Sequence, residues 1–588
     1  MTGPLCSARR VSSRLISLRR LYSPAPAPAP ASTSPPLSVP PSFFKYTWGS
    51  WLQNDTVHKK KRQTRFSLQG LNTVLNQMLL SKETSPNAFP VYDSTHHFST
   101  LPSNTAQLNT SSLPIHPTTL TSIHEGRRHR IYRVDTSLGK SFVLRIPYPK
   151  DDPRYVAQRL HSEVATMDFV QHNFSSIRIP KIYAFAPESN NPIEQPFILQ
   201  DYIDGQLLMK DWNPLCNDGA EELQKVLSIV MDFQSELHSL TFNSFGSLYF
   251  NYQESGFNQS TTKSIVSDGS KNNKLDDSRW KISSSMERPY WKGKTFASNR
   301  KYIGPWPLSH PWAMAKDFAE LEARQSSLSL QSQTQDSTLS TTLRNQISTF
   351  QNLALLIPIL DRITCSSSIP NRDQLLKPRL VHPDLDPMNI LISPTDKTPV
   401  LLDFEGSSLK PLLLTTQPQF IQYDGPKIYT PPEPTPDISA DSPQFEQLQF
   451  MYKRSRNQQL WESLIFQKNP EWIQSISPLV KLLRSPYTAA LQRKSNSEYL
   501  LIQDSIIQLK SLWNSISQPD LRFPLQISQD DILNHNELMN DFHRHLLDSP
   551  FEATKGWIPQ DLFNAMLEKG EIEELSNGDY AMAKKIDK

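Results

Sequence analysis

His382-Pro383-Asp384-Leu385-Asp386-Pro387-Met388-Asn389-Ile390-Leu391-Ile392 is the stretch whose reading decides the fold. Fourteen residues past Asn389 stands Asp403, within Leu402-Asp403-Phe404-Glu405-Gly406. The first run reads H-x-D-x-x-x-x-N closing into an apolar strand. The second is a short apolar strand, Pro399 to Leu402, ending in Asp-Phe. Asp and Asn are also ordinary turn formers, and Asp403 could simply cap a strand end. What separates the motif from a chance turn is its company: the Ile-Leu-Ile strand, a short turn, then Asp-Phe. Two strand ends side by side hold polar groups in fixed geometry, so Asp384, Asn389 and Asp403 are expected to converge.

Kinase catalytic loops share this grammar. In phosphoryl transfer one carboxylate faces the acceptor hydroxyl, while an amide and a second carboxylate converge on metal ions that bridge the nucleotide phosphates. Asp384 takes the first place, Asn389 and Asp403 the others. His382 reads as a brace for the loop rather than a participant in chemistry.

The chain has 588 residues, of which 37% are apolar, with 48 Pro against 17 Gly. Such a composition points to polar insertions and linkers diluting a folded part. A net charge of +3 gives no reason to expect nucleic-acid binding. Cys6, Cys216 and Cys365 match no metal or disulfide spacing. The most apolar stretch, near Leu353 to Ile357, is too short to span a bilayer. The first 54 residues lack Asp and Glu but carry Arg9, Arg10, Arg14, Arg19, Arg20 and Lys45. An Arg- and Ser-rich, acid-free, amphipathic start is a mitochondrial transit signature, with cleavage expected after Tyr22 and an extended Pro/Ala/Ser spacer following.

Further along, Phe43 to Trp51 is too rich in large apolar groups to be a free linker, and Phe66 to Leu80 has helical spacing at Leu68, Leu71, Leu75 and Leu79. Residues 81–120 read as a long loop. Arg130 to Val134 and Ser141 to Ile146 form a hairpin through a turn at Thr136 to Gly139, with Gly126 in the loop before it. In a kinase small lobe that loop covers the phosphates, and the second strand carries the basic clamp. Arg145 is the candidate clamp, and a guanidinium contacts phosphate bidentately. Glu163, on a helix from Val156 to Val170, is its candidate partner. Asp201-Tyr202-Ile203-Asp204-Gly205 reads as the hinge where adenine meets backbone groups. Gly139-Lys140-Ser141 is not a P-loop, because Val134 stands where that motif requires glycine.

Glu221 to Leu240 is an amphipathic helix. From about 251 to 344 the texture is polar and of low complexity, interrupted by Tyr302-Ile303-Gly304-Pro305-Trp306. A helix resumes at Gln346 to Ile363, with a kink expected at Pro358. After a Pro-rich stretch at 409–440 come helical patches at Phe445–Gln467, Trp472–Leu483, Glu498–Ile516, Asp530–Leu547 and Trp557–Leu567.

Taken together, the catalytic stretch and Val143-Leu144-Arg145 resemble the aminoglycoside phosphotransferase branch of the protein-kinase-like fold, in which Glu405 fits the usual Asp-Trp/Phe-Glu. The chain is more closely similar to the fungal mitochondrial family called altered inheritance of mitochondria protein nine. The residues that carry this likeness are Tyr46–Trp51, Val143–Pro149, Ser162–Thr166 and Phe245–Tyr249. The resemblance implies an α+β, two-lobed fold with an extended helical C-terminal region, ATP and Mg2+ as ligands, and a mitochondrial location. It implies Asp384 as catalytic base, Asn389 and Asp403 as metal ligands and Arg145 as phosphate clamp. Gly126, Glu163, Asp201 and Tyr202 complete the expected nucleotide site. Two departures stand out: the bulky, basic His124-Glu125-Gly126-Arg127-Arg128-His129 loop has a single glycine, and Arg145 replaces the usual strand lysine.

The expected division is a transit peptide and spacer at 1–41, an extension at 42–122, a small lobe at 123–204, a large lobe at 205–440 and a helical part at 441–588. The function expected is phosphotransfer from ATP to a hydroxyl of an unidentified small molecule. The alternative is a kinase-fold scaffold that acts in mitochondrial maintenance through a protein partner of the helical tail. The basic loop also permits AMP transfer by an inverted nucleotide pose.

Overall fold

The alternation read at Arg130 to Val134 is realised in a strand from His129 to Thr136, where every second residue from Arg130 to Thr136 is buried. A period of two puts those side chains on one face of a sheet. A computed structural model describes residues 37–80, 89–108, 114–216, 220–251, 265–266, 279–293, 300–332, 337–365, 369–549 and 551–583. The expected transit segment with its cleavage after Tyr22 lies outside the described residues.

The described chain forms two units. One comprises the residues up to Leu160, Pro180–Ile203 and those from Arg544 on; the other His161–Ile179 and Asp204–His543. In the first unit, strand β1 (Gly49–Trp51) stands apart from a seven-stranded sheet. That sheet comprises β2 (Val91–Asp93), β3 (Phe98–Thr100), β4 (Pro117–Glu125), β5 (His129–Thr136), β6 (Ser141–Pro147), β7 (Ile182–Ala186) and β8 (Phe197–Asp201). Its order is β2-β3-β7-β8-β6-β5-β4, antiparallel throughout. Helix α1 (Leu68–Leu80) packs against it through Leu71, Val74, Leu75 and Met78. These residues share one core with Phe44, Phe66, Phe98, Tyr132, Val134, Phe142 and Leu144. The extension at 42–122 and the first strands of the small lobe are therefore one body, because the apolar face of α1 is buried in the same core as the sheet.

The second unit carries a smaller sheet. Strand β9 (Gln206–Leu207) pairs with β11 (Ile390–Ile392), which pairs with β12 (Pro399–Leu401); β10 (Pro378–Val381) pairs with β13 (Ser408–Pro411). The same unit carries helices α3 (Ala220–Leu237), α4 (Ala313–Gln331), α5 (Ser337–Cys365), α6 (Pro443–Lys468), α7 (Pro478–Gln492) and α8 (Tyr499–Ser511), with α2 (Pro153–Asn173) from His161 on and α9 (Gln529–Asp548) up to His543.

Several expectations change. The long loop at 81–120 contains β2, β3 and the start of β4. The polar insertion at 251–344 contains α4, whose Met314, Phe318 and Leu321 are buried, and the buried Trp280, Trp291, Trp306 and Trp312. Interspersed Ser and Gln hid an apolar helical face there. Helix α5 begins earlier than expected and continues through Pro358 to Cys365. The helical part at 441–588 divides at His543; of the helix expected at Trp557–Leu567, the first three residues, Trp557–Pro559, are strand β14, which pairs with β1, and the helix itself runs Gln560–Glu568. Ile558, Phe563, Met566 and Ile572 form a small apolar cluster behind that pair.

Candidate active site

Strand β10 delivers the chain to His382, and β11 begins at Ile390; the residues between are held by a closed set of bonds. His382 is buried. Its Nε2 lies 2.9 Å from the Leu402 carbonyl, and its Nδ1 lies 3.3 Å from the Asp384 N–H. Burial holds the imidazole below its ordinary pKa, against the opposing pull of the Leu402 carbonyl and of Asp403 and Asp384. The ring is therefore neutral at neutral pH, with its proton on Nε2 donating to Leu402 and its Nδ1 accepting from Asp384. Its ring and that of Phe404 meet in a T, with centroids 4.9 Å apart. One side chain thus ties the Asp384 loop to the Asp403 loop, which is a bracing role.

Asp386, buried, accepts the Met388 N–H at 2.9 Å and so caps the short 3-10 turn Pro387–Asn389. The Asn389 N–H donates to the Asp386 carbonyl at 2.8 Å, and the Asn389 carbonyl accepts the Leu402 N–H at 2.8 Å. The Asn389 side-chain NH2 donates to the Asp384 carbonyl at 2.7 Å. That bond uses the amide nitrogen and leaves Oδ1 as the ligand atom. Asp384 itself is exposed on the loop, backed by this lattice rather than by packing. Asp403 has φ of 60°, the left-handed region, which Asp tolerates better than most residues. The motif thus brings Asp384, Asn389 and Asp403 onto adjoining loops at the ends of β11 and β12.

Would these residues suit magnesium? Mg2+ takes hard oxygen ligands and is commonly bound by one or two side chains together with substrate phosphates. The Asn389 Oδ1 and the Asp403 carboxylate are such a pair. Among the described residues no group of three His, Cys, Asp or Glu forms a protein-only cage. The donor set fits a metal shared with a nucleotide.

The first unit places its candidates differently. Gly126 lies in the β4–β5 turn, where its N–H already donates to the His129 carbonyl at 3.0 Å. A Cβ there would stand 3.1 Å from both the His124 ring and the His129 carbonyl. Arg145 is buried on β6, opposite Ile131 and Ile198. The Asp201 carboxylate accepts the Tyr183 hydroxyl at 2.6 Å and pairs with Lys140 at 3.1 Å. Asp201 therefore reads as a bracket between strands. The Tyr202 ring lies under the Arg133 guanidinium at 4.3 Å. Glu163 is buried on α2 and belongs to the other unit from Arg145.

Sequence reasoning passed over Glu125 and Arg130. They form a fully buried ion pair at 2.8 Å beside the Gly126 turn. Glu125 also accepts the Thr47 N–H at 2.7 Å and its hydroxyl at 3.1 Å, while Arg130 donates to the Lys45 carbonyl at 2.9 Å. The Trp48 ring meets His124 edge-on at 4.9 Å. The aromatic segment at 43–51 is thus a strap under the turn. That Phe43 to Trp51 packs on the folded body was legible in its large apolar groups; which turn it straps was not. Asp386 was also missed, though Asp-Pro before a short turn is a recognisable signal.

Residues 119–414 match the model of the phosphotransferase enzyme family. A relative from Saccharomyces cerevisiae strain ATCC 204508 / S288c, named altered inheritance of mitochondria protein 9, mitochondrial, is 44% identical, over 92% of this chain and 90% of its own length. The protein of that name from Kluyveromyces lactis is 41% identical, over 93% of this chain and 91% of its own length. A solved Plasmodium vivax ethanolamine kinase is 12% identical with a TM-score of 0.30, covering 71% of this chain and 86% of that one. That last likeness is too remote to add to the family match. Near-full-length similarity at this identity, together with the family match across the Asp384 loop, has one meaning: the chain belongs to the mitochondrial family named altered inheritance of mitochondria protein 9, within the phosphotransferase enzyme family.

Proposed function

We propose that this mitochondrial family member is an ATP- and Mg2+-dependent phosphotransferase whose acceptor is a hydroxyl of a small molecule. The observation that carries the reading is the bonded lattice around His382 and Asp386, which presents Asp384 and the Oδ1 of Asn389 beside Asp403. Asp384 takes the proton of the acceptor hydroxyl on its carboxylate. Asn389 and Asp403 would hold the metal. Magnesium ATP, when bound, supplies the phosphoryl group and neutralises the charge that develops during transfer. His382 keeps the two loops in register without gaining or losing a proton. Gly126, Arg145 and Glu163 are proposed contacts or supports for the nucleotide, as are the backbone groups of Asp201 and Tyr202.

A second reading has its own observation. The Gly126 N–H and the Asp201 carboxylate are engaged within the protein. A turn and hinge committed in this way suit a nucleotide-dependent or nucleotide-free scaffold acting in mitochondrial inheritance, through a protein partner of the helical region. Thermal unfolding with and without magnesium ATP, in wild type and Asp403→Asn, separates the two. Asn keeps the shape and tolerates the left-handed backbone. At a hundredfold excess over Kd the ligand should stabilise wild type by about 2.7 kcal/mol, and the variant should lose most of this. No stabilisation of wild type at millimolar nucleotide would favour the scaffold.

A further inference from the structure

A small cavity lies in the second unit, and its lining includes none of the candidate site residues. It is about 20 Å³ in volume and is walled by Leu412 and Gln417 after β13, by Gln234 of α3, by Trp461 of α6, and by Trp472 and Arg484. Its lining is unusual in chemistry. Among the described residues, the indole N–H groups of Trp461 and Trp472 and the Gln417 side-chain NH2 are buried without a hydrogen-bond partner, as is the Gln234 Oε1. Native interiors rarely leave such groups unmet, because burial takes away their bonds to water and returns nothing. Four in one small space call for an occupant.

The charge says which kind. Arg484 is 5% exposed and donates to the carbonyls of Ser475 at 2.8 Å and Leu413 at 3.4 Å. Among the described residues no carboxylate forms an ion pair with it. Burial alone lowers its pKa, to about 10, so it remains a cation at neutral pH. An unpaired buried charge is costly unless a counterion accompanies it. A space of this size holds one occupant of about the volume of a water molecule. A single water accepts two hydrogen bonds, enough for the two indole N–H groups, but it brings no charge to set against Arg484. A spherical anion accepts from all of them. The Gln234 amide can turn over, since its oxygen and nitrogen are isosteric, and would then donate as well.

We propose that this cavity is a binding site for a monoatomic anion, chloride in particular, held by the indole N–H groups of Trp461 and Trp472, the Gln417 amide and the Arg484 guanidinium. A polyatomic anion such as phosphate is too large for the volume. The site stands independently of the proposed phosphotransfer.

The test uses the full chain with bromide as probe, against sodium gluconate at matched ionic strength, in wild type and Trp472→Phe. That substitution keeps a ring in place and removes one donor, whereas replacing Arg484 risks the fold. Bromide should raise the wild-type unfolding midpoint saturably by about 1–3 °C, and the variant should lose most of this rise. Crystals grown in bromide should show an anomalous scatterer in the cavity. A rise that does not saturate, or that is equal in Trp472→Phe, overturns the proposal. So does a cavity holding water alone in bromide-grown crystals.

Discussion

The loop between β10 and β11 and the turn between β4 and β5 both carry charged side chains, and they use them in opposite ways. In the first, the bracing is done by a neutral imidazole, an Asp cap and backbone amides, and the Asp384 carboxylate stays exposed. In the second, Glu125 and Arg130 are buried against each other and against the strap at 45–47. One loop is scaffolded so that its charge faces outward; the other has turned its charges into scaffold. The same chain thus leaves a carboxylate exposed on one loop and uses up charged side chains as structure in another.

If that contrast is right, the largest effect should fall on turnover. Asp384→Asn should lower the rate of phosphotransfer by about 10²–10⁴-fold, yet move stability by no more than about 0.5 kcal/mol, as expected for an exposed site. Product formation and thermal unfolding on the same preparation check both halves, and undiminished turnover would break the comparison on its chemical side. Next in size, Glu125→Ala strands the buried Arg130 guanidinium and should cost about 3–5 kcal/mol of stability, read by chemical denaturation. An unchanged midpoint would mean that the turn is not held by this pair. Asp386→Ala should cost about 1.5–3 kcal/mol by removing the carboxylate that caps the Met388 N–H. It should also weaken magnesium-dependent nucleotide binding by displacing Asn389, which titration calorimetry would show.

The smallest effect is one of pH. His382 has its folded pKa depressed by burial below the unfolded value of about 6.5. Above that pH both states are neutral and the residue contributes no pH dependence. As the pH falls below it, the unfolded state takes a proton that the folded state refuses, so stability is lost at up to about 1.4 kcal/mol per unit. His382→Asn should flatten the wild-type curve as the pH falls below about 6.5, by up to that slope. Identical curves for the two proteins would mean that the imidazole is not held neutral in the fold.

How much of this was legible beforehand follows from distance along the chain. The catalytic motif lies in two short runs joined by one hairpin, so spacing alone exposed Asp384, Asn389 and Asp403. The β5–β6 hairpin showed through its alternation and through Gly139, whose φ of 69° closes the turn. The helix at Leu68–Leu80 was found by period, although the face it buries centres on Val74 and Met78 as well as the leucines. The strands at 91–100 were not found, because three-residue strands carry too little pattern to stand out from a polar loop. Helix α4 was hidden by its serines for a related reason: composition masked a periodic apolar face.

The amino-acid sequence by itself determined the class of fold, the family and the motif that sets Asp384, Asn389 and Asp403 on adjoining loops, because each is written in local spacing. Only the tertiary structure decided the rest. Thr47 reaches Glu125 across 78 residues, and Ser50 reaches Gln560 across 510. Trp461, Trp472 and Arg484 meet Gln234 and Gln417 around one cavity. Such partners are chosen by which apolar faces bury together, and burial then makes each polar group find whatever donor or acceptor the packing has brought near. No spacing rule records that choice, since it depends on the whole core at once.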